Sequence, residues 1–175
     1  MAAGSTYTQI ATTTLGSAVS QVTFTSIPAS YTDLILVNQY MNSANGGLFI
    51  QYNGDAATNY SIVNLISSGS VAPSTYATGN QNYIWADTYL QGTGTVTTDR
   101  PMTVSHIMNY ANTTTFKATL LRSSDVRTTS STDGTAYGGI AMWRDTSAIN
   151  SITVLSGAGN FVATSMFSLY GIAAA

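Results

Sequence analysis

The sequence predicts an all-β protein, a jelly-roll-like β-sandwich with little or no helix, and three observations support this. Thr and Ser dominate, with 28 and 21 residues, and β-favouring Val, Ile and Tyr are abundant. Strong helix formers other than Ala and Leu are scarce, since the chain has one Lys and no Glu. Short apolar segments recur roughly every 10 to 15 residues between turn signals.

The length of 175 residues fits one domain. We predict a flexible N-terminal arm over residues 1–5, followed by a single β-sandwich domain over residues 6–175. A domain of this size buries about 70% of the surface that its unfolded chain exposes. It therefore needs no disulfide, and the chain contains no cysteine.

In the first half, alternation and turn residues predict strands at 7–15, 19–27, 33–41 and 48–52. Pro28 ends the second strand because it has no N–H for a ladder. The run Leu34-Ile35-Leu36-Val37 predicts burial on both faces of the third. Asn53-Gly54 predicts a hairpin, since both residues tolerate positive φ. Residues 60–67 fit either a short helix or a strand, and 68–81 predict a long loop or an irregular edge.

In the second half, the same reasoning predicts strands at 83–90, 102–110, 115–122, 137–143, 151–155 and 165–172. Residues 123–134 predict a loop, and Phe161 is expected to pack under the turn at 157–159. In the strand at 102–110, alternation places Met102, Val104, His106 and Met108 on one face. The total is about nine to eleven strands, and without an exact internal repeat a propeller or a solenoid is disfavoured.

The charge content is low and excludes several classes of protein. Only 7% of residues are charged, against about 25% in ordinary globular proteins. A net charge of −2 with five basic residues cannot neutralise many phosphates, so we predict no nucleic-acid partner. The run Leu34 to Val37 is far shorter than the ~20 apolar residues of a membrane span, so we predict no membrane partner. Low charge favours a protein packed against neighbours, although a soluble β domain with few charges is equally compatible.

The residue types do not favour chemistry, and we predict no catalytic site, no cofactor and no metal site. His106 is the sole histidine, and we interpret it as a hydrogen-bonded structural residue. No Gly-x-Ser-x-Gly elbow accompanies the abundant serines. The Asp residues fall where turn preference alone would place them, namely at Asp33, Asp55, Asp87, Asp99, Asp125, Asp133 and Asp145. A calcium site at Asn53-Gly54-Asp55 is the alternative to a simple turn, but its spacing matches no EF-hand loop.

The aromatic and polar motifs each have a structural and a functional interpretation. The chain has eleven Tyr and two Trp, and we interpret Trp85 and Trp143 as core or interface residues rather than a sugar-stacking platform. The pairs Arg144-Asp145 and Asp99-Arg100 are interpreted as exposed strand-end ion pairs rather than interface contacts. The glycosylation sequons at Asn59 and Asn112 are interpreted as chance matches.

Taken in order, several motifs resemble a family of small virion proteins and domains from tailed bacteriophages, common in cyanophages. The resemblance covers nearly the whole chain. Its motifs are Tyr7-Thr8-Gln9-Ile10-Ala11-Thr12-Thr13-Thr14-Leu15, Val22-Thr23-Phe24-Thr25-Ser26-Ile27-Pro28, Tyr31-Thr32-Asp33-Leu34, Asn53-Gly54-Asp55, Asn59-Tyr60-Ser61, Trp143-Arg144-Asp145-Thr146-Ser147-Ala148-Ile149-Asn150-Ser151-Ile152, Gly159-Asn160-Phe161 and Ser168-Leu169-Tyr170-Gly171-Ile172.

The resemblance implies a β-sandwich structural protein, often a homotrimer, without catalysis. Members are capsid decoration (cement) proteins or modules of tail fibres. Since the chain begins with Met and holds one domain, we expect a decoration protein on the outer capsid surface, bound to the major capsid protein. The arm at residues 1–5 is expected to help anchor it. The alternative is a tail-fibre or receptor-binding tip that recognises host surface glycans, and a carbohydrate-binding module of a cell is a third possibility.

Overall fold

The computed structural model describes residues 6–44, 46–68, 71–87, 100–126 and 134–173. Within these ranges the chain forms twelve β-strands and no helix. The strands are β1 (Tyr7–Thr14), β2 (Gln21–Phe24), β3 (Asp33–Gln39), β4 (Leu48–Tyr52), β5 (Tyr60–Ser68), β6 (Val71–Gln81), β7 (Ile84–Asp87), β8 (Met102–Met108), β9 (Lys117–Val126), β10 (Gly134–Trp143), β11 (Ile152–Ser156) and β12 (Met166–Ile172).

The strands form two antiparallel sheets that pack as a sandwich, as the sequence predicts. The large sheet has the order β1-β12-β3-β8-β9-β10-β5-β6, and the small sheet has the order β2-β11-β4-β7. The first half of the large sheet, β1-β12-β3-β8, and the small sheet, β2-β11-β4-β7, contain eight strands. Together these eight strands have the connectivity of a jelly roll. The hairpins β5–β6 and β9–β10 add four neighbouring strands beyond β8 and so double the width of one sheet.

The core lies between the sheets and is rich in aromatic side chains. Trp143, Tyr52 and Phe161 are among its largest fully buried side chains. The rings of Tyr52 and Trp143 meet edge-on at 5.7 Å, and those of Phe161 and Phe167 at 4.9 Å. Burial of each such side chain stabilises the fold by about 1.5–3 kcal/mol. Phe161 therefore belongs to the main core, where its backbone also bridges to Val19 and Asn42.

Two segments differ from the sequence prediction because strand pairing extends beyond the apolar pattern. Of the two interpretations of 68–81, the loop is wrong and the irregular edge is right, since Val71–Gln81 is the edge strand β6. Its register with β5 shifts twice. The loop predicted at 123–134 is wrong at both ends, because β9 runs to Val126 and pairs there with Gly134 of β10. Thr and Ser pair well in a ladder without contributing apolar alternation. The described residues thus form twelve strands, against the nine to eleven expected.

Asn53-Gly54 forms the predicted turn but not the predicted hairpin. The φ angles of these residues are +53° and +68°, and the Asp55 N–H donates to the Tyr52 carbonyl at 2.9 Å. The strand before the turn, β4, belongs to the small sheet, whereas β5 belongs to the large sheet. Turn chemistry reverses the chain locally, but burial decides which sheet receives the next strand.

The strands β3 and β8 are neighbours in the interior of the large sheet, and the burial of both alternates from residue to residue. Leu34 and Leu36 are fully buried on the inner face, and Ile35 and Val37 are half-buried on the outer face. The predicted burial on both faces of this strand is therefore complete on the inner face and partial on the outer face. Met102, Val104, His106 and Met108 do share a face of β8, and it is the outer one. The inward face carries Thr103 and Ser105 instead. No helix long enough and apolar enough to cross a membrane occurs in the described part of the chain.

Candidate functional site

The outer face of the large sheet carries rows of apolar side chains that cross six strands. Register pairs align one row through β12, β3, β8, β9, β10 and β5, and it reads Tyr170, Ile35, His106, Leu120, Ile140 and Val63. A parallel row reads Val37, Val104, Arg122, Gly138 and Leu65. We call these two rows, with Met102, Met142 and Met166, the apolar face.

The apolar face is accessible to solvent. In the described ranges, nine large hydrophobic side chains are exposed, and seven of them belong to this face. These seven are each at least 39% exposed, and they are Val63, Leu65, Met102, Leu120, Ile140, Met142 and Met166. Single exposed apolar residues are ordinary, but a contiguous apolar patch of this kind marks an interaction surface.

Two shallow depressions lie in this region. One, of about 300 Å³, is lined by Val63, Phe116, Ala118, Ile140 and Met142, among others. The other, also of about 300 Å³, is lined by Met102, Val104, Arg122, Ser123 and Ser124. We call the first the Phe116 groove. Depressions of this size accept one or two side chains of a partner, which is how interface anchors are seated.

Two charged side chains, Arg122 in the second row and Asp33 beside the first, lie on the outer side of the large sheet. His106 Nε2 lies 2.9 Å from Asp33 Oδ2, and Asp33 Oδ1 accepts a hydrogen bond from the Asn109 N–H at 2.7 Å. The neighbours of His106 across its row are Ile35 and Leu120. The predicted hydrogen bond of His106 is therefore confirmed, with Asp33 as its partner.

The apolar face is large enough to contact another protein. Five strand spacings of about 4.8 Å and seven residues of about 3.3 Å give a footprint of roughly 24 by 23 Å in projection. That is roughly 550 Å² before side-chain relief is added, or about two thirds of the ~800 Å² that a partner in a standard interface buries. A single small ligand would cover only part of such a surface.

Lys117 lies beneath the Phe116 groove, and the sequence did not single it out. It is buried, and its Nζ donates hydrogen bonds to the carbonyl oxygens of Thr115 at 2.8 Å and Thr146 at 3.1 Å. Burial lowers the pKa of this ammonium, and nearby Asp145 partly opposes the shift. These carbonyls compensate the buried cation, so it fixes the turn before β9.

Asp55, the centre of the calcium alternative, lies in a network of N–H donors. Its Oδ2 accepts from Trp143 Nε1 at 2.6 Å and from Asn59 Nδ2 at 2.9 Å, and its Oδ1 accepts from the Ala57 N–H at 2.8 Å. Burial raises the pKa of the Asp55 carboxyl, but these hydrogen bonds outweigh it and lower the pKa. Donors of this kind support the simple-turn interpretation. In the described ranges, no group of three or more metal-ligating side chains occurs.

The predicted ion pair between Arg144 and Asp145 is wrong. Arg144 donates to the Thr58 carbonyl at 2.7 Å and to Asn80 Oδ1 at 3.1 Å. Asp145 accepts from the Ser147 N–H at 2.7 Å. Each side chain instead stabilises a separate turn. In the second pair, Asp99 lies outside the described residues, as does the arm at 1–5.

The sequon residues have local structural roles. The Asn59 amide donates to Asp55, as described above, and Asn112 Oδ1 accepts hydrogen bonds from the N–H groups of Thr114 and Thr115 at 2.7 and 2.8 Å. Such an Asx turn explains Asn112 at the chain reversal before β9. These contacts are compatible with the interpretation of both sequons as chance matches.

The two tryptophans occupy different environments. Trp143 is 1% exposed, so its core assignment is confirmed. Trp85 is half-buried on the outer side of the small sheet, where it lies near Phe49 and Tyr83. We call the outward side chains of the small sheet the aromatic face, and they are Gln21, Thr23, Phe49, Gln51, Tyr83, Trp85, Thr153 and Leu155.

Comparison with known proteins finds no matching family model and no matching curated protein. The geometry of the chain's own surfaces therefore carries the functional argument. Sequence reasoning missed the apolar face as a site, although the signal was present in β8. Alternation grouped Met102, Val104, His106 and Met108 correctly, but it did not show that this group points away from the core.

Proposed function

We propose that the protein is a structural component of a bacteriophage virion, a capsid decoration (cement) protein that binds the outer shell through its apolar face. The observation that carries this proposal is the contiguous apolar surface across six strands of the large sheet. Exposed apolar area of this extent is stabilised when a partner covers it. If the chain binds only the assembled shell and not its free subunits, each binding event shifts the equilibrium towards assembly by mass action. Binding of the chain therefore stabilises the shell.

The partners in this proposal are the major capsid protein and two further copies of the chain in a homotrimer. Low charge supports close packing between copies, because few like charges must be brought together. The resemblance to phage virion proteins supports the same assembly. The apolar face would contact the shell, and other surfaces would join the copies.

We propose no enzymatic role for the chain. The sole imidazole is bonded to Asp33, and its neighbours along the sheet row are the apolar residues Ile35 and Leu120. A general base needs a substrate proton within hydrogen-bond reach. Neither Ile35 nor Leu120, which flank His106 in the row, has a side-chain group that could position such a substrate by hydrogen bonding.

Binding to capsids assembled without the protein tests the proposal. The double variant Leu120→Asn with Ile140→Asn makes the centre of the apolar face polar at two exposed positions, so folding is retained. We expect its capsid occupancy to fall at least about tenfold, as for central interface residues. The matched control is Thr23→Asn, at an exposed residue of β2 on the outward side of the small sheet.

Equal occupancy by the double variant and the control would contradict the apolar face as the contact. Quantitative mass spectrometry of purified virions tests the role itself. Hundreds of copies per virion are expected of a shell protein, whereas a few or tens, recovered with tails, would favour the tail-fibre alternative. Sedimentation of the same samples gives the number of chains per assembly, and a monomer would contradict a trimer that forms without the capsid.

A further inference from the structure

The aromatic face differs from the apolar face in the chemistry it presents. Register pairs align Gln21, Leu155, Phe49 and Trp85 in one row across all four strands of the small sheet. The neighbouring row reads Thr23, Thr153 and Gln51. None of these side chains, and not Tyr83 beside them, carries a formal charge.

One end of the aromatic face is a cluster of three rings. Phe49 and Tyr83 stack with ring centroids 4.3 Å apart and planes within 10°. Trp85 lies 6.1 Å from Phe49 and 6.3 Å from Tyr83, and its plane is 25° from that of Tyr83. All three are half-buried, so part of each ring system meets solvent. The mutual stacking holds the rings in place, so a ligand would find them already ordered.

Apart from the rings, the aromatic face carries amides, hydroxyls and Leu155. Gln51 Nε2 donates to the Asn82 carbonyl at 2.8 Å, which fixes the amide next to the rings. The hydroxyls of Thr23 and Thr153 lie 3.2 Å apart. Gln21 and Thr23 are exposed. In these hydrogen bonds the Gln51 amide uses only its N–H group, and each hydroxyl oxygen has two lone pairs. The oxygens can therefore accept hydrogen bonds from the hydroxyl groups of a ligand.

We propose that the aromatic face binds a neutral saccharide. A pyranose ring has an apolar C–H surface that stacks on an aromatic ring, and its rim of hydroxyls needs amide and hydroxyl partners. The face supplies both, side by side. Because none of its side chains is charged, it favours a neutral sugar over a sialylated, sulfated or phosphorylated one. A protein partner with an apolar surface would leave the amides and hydroxyls without partners, at a cost of desolvation.

The proposed saccharide site is independent of the proposed capsid contact. The two faces lie on opposite sides of the sandwich, whose sheets pack about 10 Å apart. A chain docked through the apolar face therefore presents the aromatic face outward. Its four strands span roughly 14 Å between the outermost strand axes, which is room for two or three sugar units.

Saturation-transfer NMR and tryptophan fluorescence on the full chain test this proposal. The probes are maltohexaose, cellohexaose and chitohexaose as neutral sugars, with sialyllactose as the charged comparator. We expect at least one neutral probe to bind with a millimolar dissociation constant and to change the Trp85 emission. Tyr83→Ala is expected to weaken that binding at least about tenfold, and Gln51→Ala to weaken it by a smaller factor.

The control is Tyr7→Ala, which removes a more exposed tyrosine from the other sheet and should change the affinity by less than twofold. Thermal unfolding checks that each variant is folded. If Tyr83→Ala fails to fold, Gln51→Ala decides the question. The proposal is overturned if no neutral probe binds, if sialyllactose alone binds, if the folded variants bind as well as the intact chain, or if Tyr7→Ala loses as much affinity.

Discussion

The two outer faces of the sandwich follow the same strand alternation but differ in what they present. On the large sheet, most outward positions of the two rows hold aliphatic side chains, and seven Val, Leu, Ile and Met residues of the apolar face are exposed. Tyr170, His106, Arg122 and Gly138 stand among them. On the small sheet, they hold Thr and Gln beside three stacked rings. A sandwich needs only one apolar face per sheet. The second apolar face of the large sheet is therefore unnecessary for the packing of the two sheets, and for this reason we propose it as the contact surface.

The inner face of the large sheet also differs from its outer face. On the central strands β8 and β9, several of the inward side chains are polar. Thr103, Ser105, Thr119 and Ser123 point inward from β8 and β9 and are buried. Two of them bond across to the small sheet, since the hydroxyls of Thr119 and Tyr52 lie 2.7 Å apart and Ser123 Oγ donates to the Ala86 carbonyl at 3.1 Å. At β9, hydrogen bonds therefore join the two sheets on the inner side, while apolar side chains of the same strand point outward.

The largest expected effect comes from breaking the core that both faces share. Trp143→Ala removes a fully buried ring and its hydrogen bond to Asp55, and we expect a loss of about 3–5 kcal/mol in the free energy of unfolding. Its neighbour Met142→Ala, on the apolar face, is the control and should change stability by about 0.5 kcal/mol or less. Chemical denaturation measures both. A similar loss for the two variants would refute the assignment of inner and outer sides on β10.

Two adjacent glycines of β10 provide a sharper version of the same comparison. A Cβ on Gly139 would collide with the side chain of Asn64 and lie 2.9 Å from the Val63 carbonyl oxygen, whereas nothing lies within 4 Å of a Cβ on Gly138. We expect Gly139→Ala to cost about 1–3 kcal/mol because the packed interior must shift. Gly138→Ala should be neutral or stabilise by about 0.4–1 kcal/mol. Thermal melts of the pair measure the difference, and the reverse order would contradict the geometry.

The smallest effect is expected at the turn that carries the chain from one sheet to the other. The hydrogen bonds to Asp55 lower the pKa of its carboxyl. A carboxyl with a lowered pKa in the folded state adds stability above its unfolded pKa of about 3.9. That contribution disappears as pH falls through the folded pKa.

We therefore expect Asp55→Asn to lose about 1 kcal/mol at neutral pH, as for one charge-assisted hydrogen bond. Its stability should also fall less steeply in acid than that of the unaltered chain. Urea melts between neutral pH and acid measure the slope. An unchanged acid slope in Asp55→Asn would show that another carboxyl sets the acid sensitivity.

How far the sequence predicts the structure depends on whether a feature is local. The turn at Asn53-Gly54 and the alternation of β3 follow from residues in place, and both are correct. The sheet that receives β5 depends on distant partners, so the hairpin was wrong there. The two tryptophans illustrate the same limit for the sites. Residue type alone could not separate buried Trp143 from half-buried Trp85, because only the assembled sheets decide which side of each strand is covered.

The width of the large sheet also determines the shape of whatever covers it. Neighbouring strands in a sheet rotate by roughly 20–25° relative to each other. Over the five steps from β12 to β5, the apolar face therefore turns through roughly 100–125° and is saddle-shaped rather than planar. A flat lattice would touch only a few strands at once. A partner that fills the whole surface must itself be saddle-shaped, with its convex direction lying along the concave direction of the apolar face.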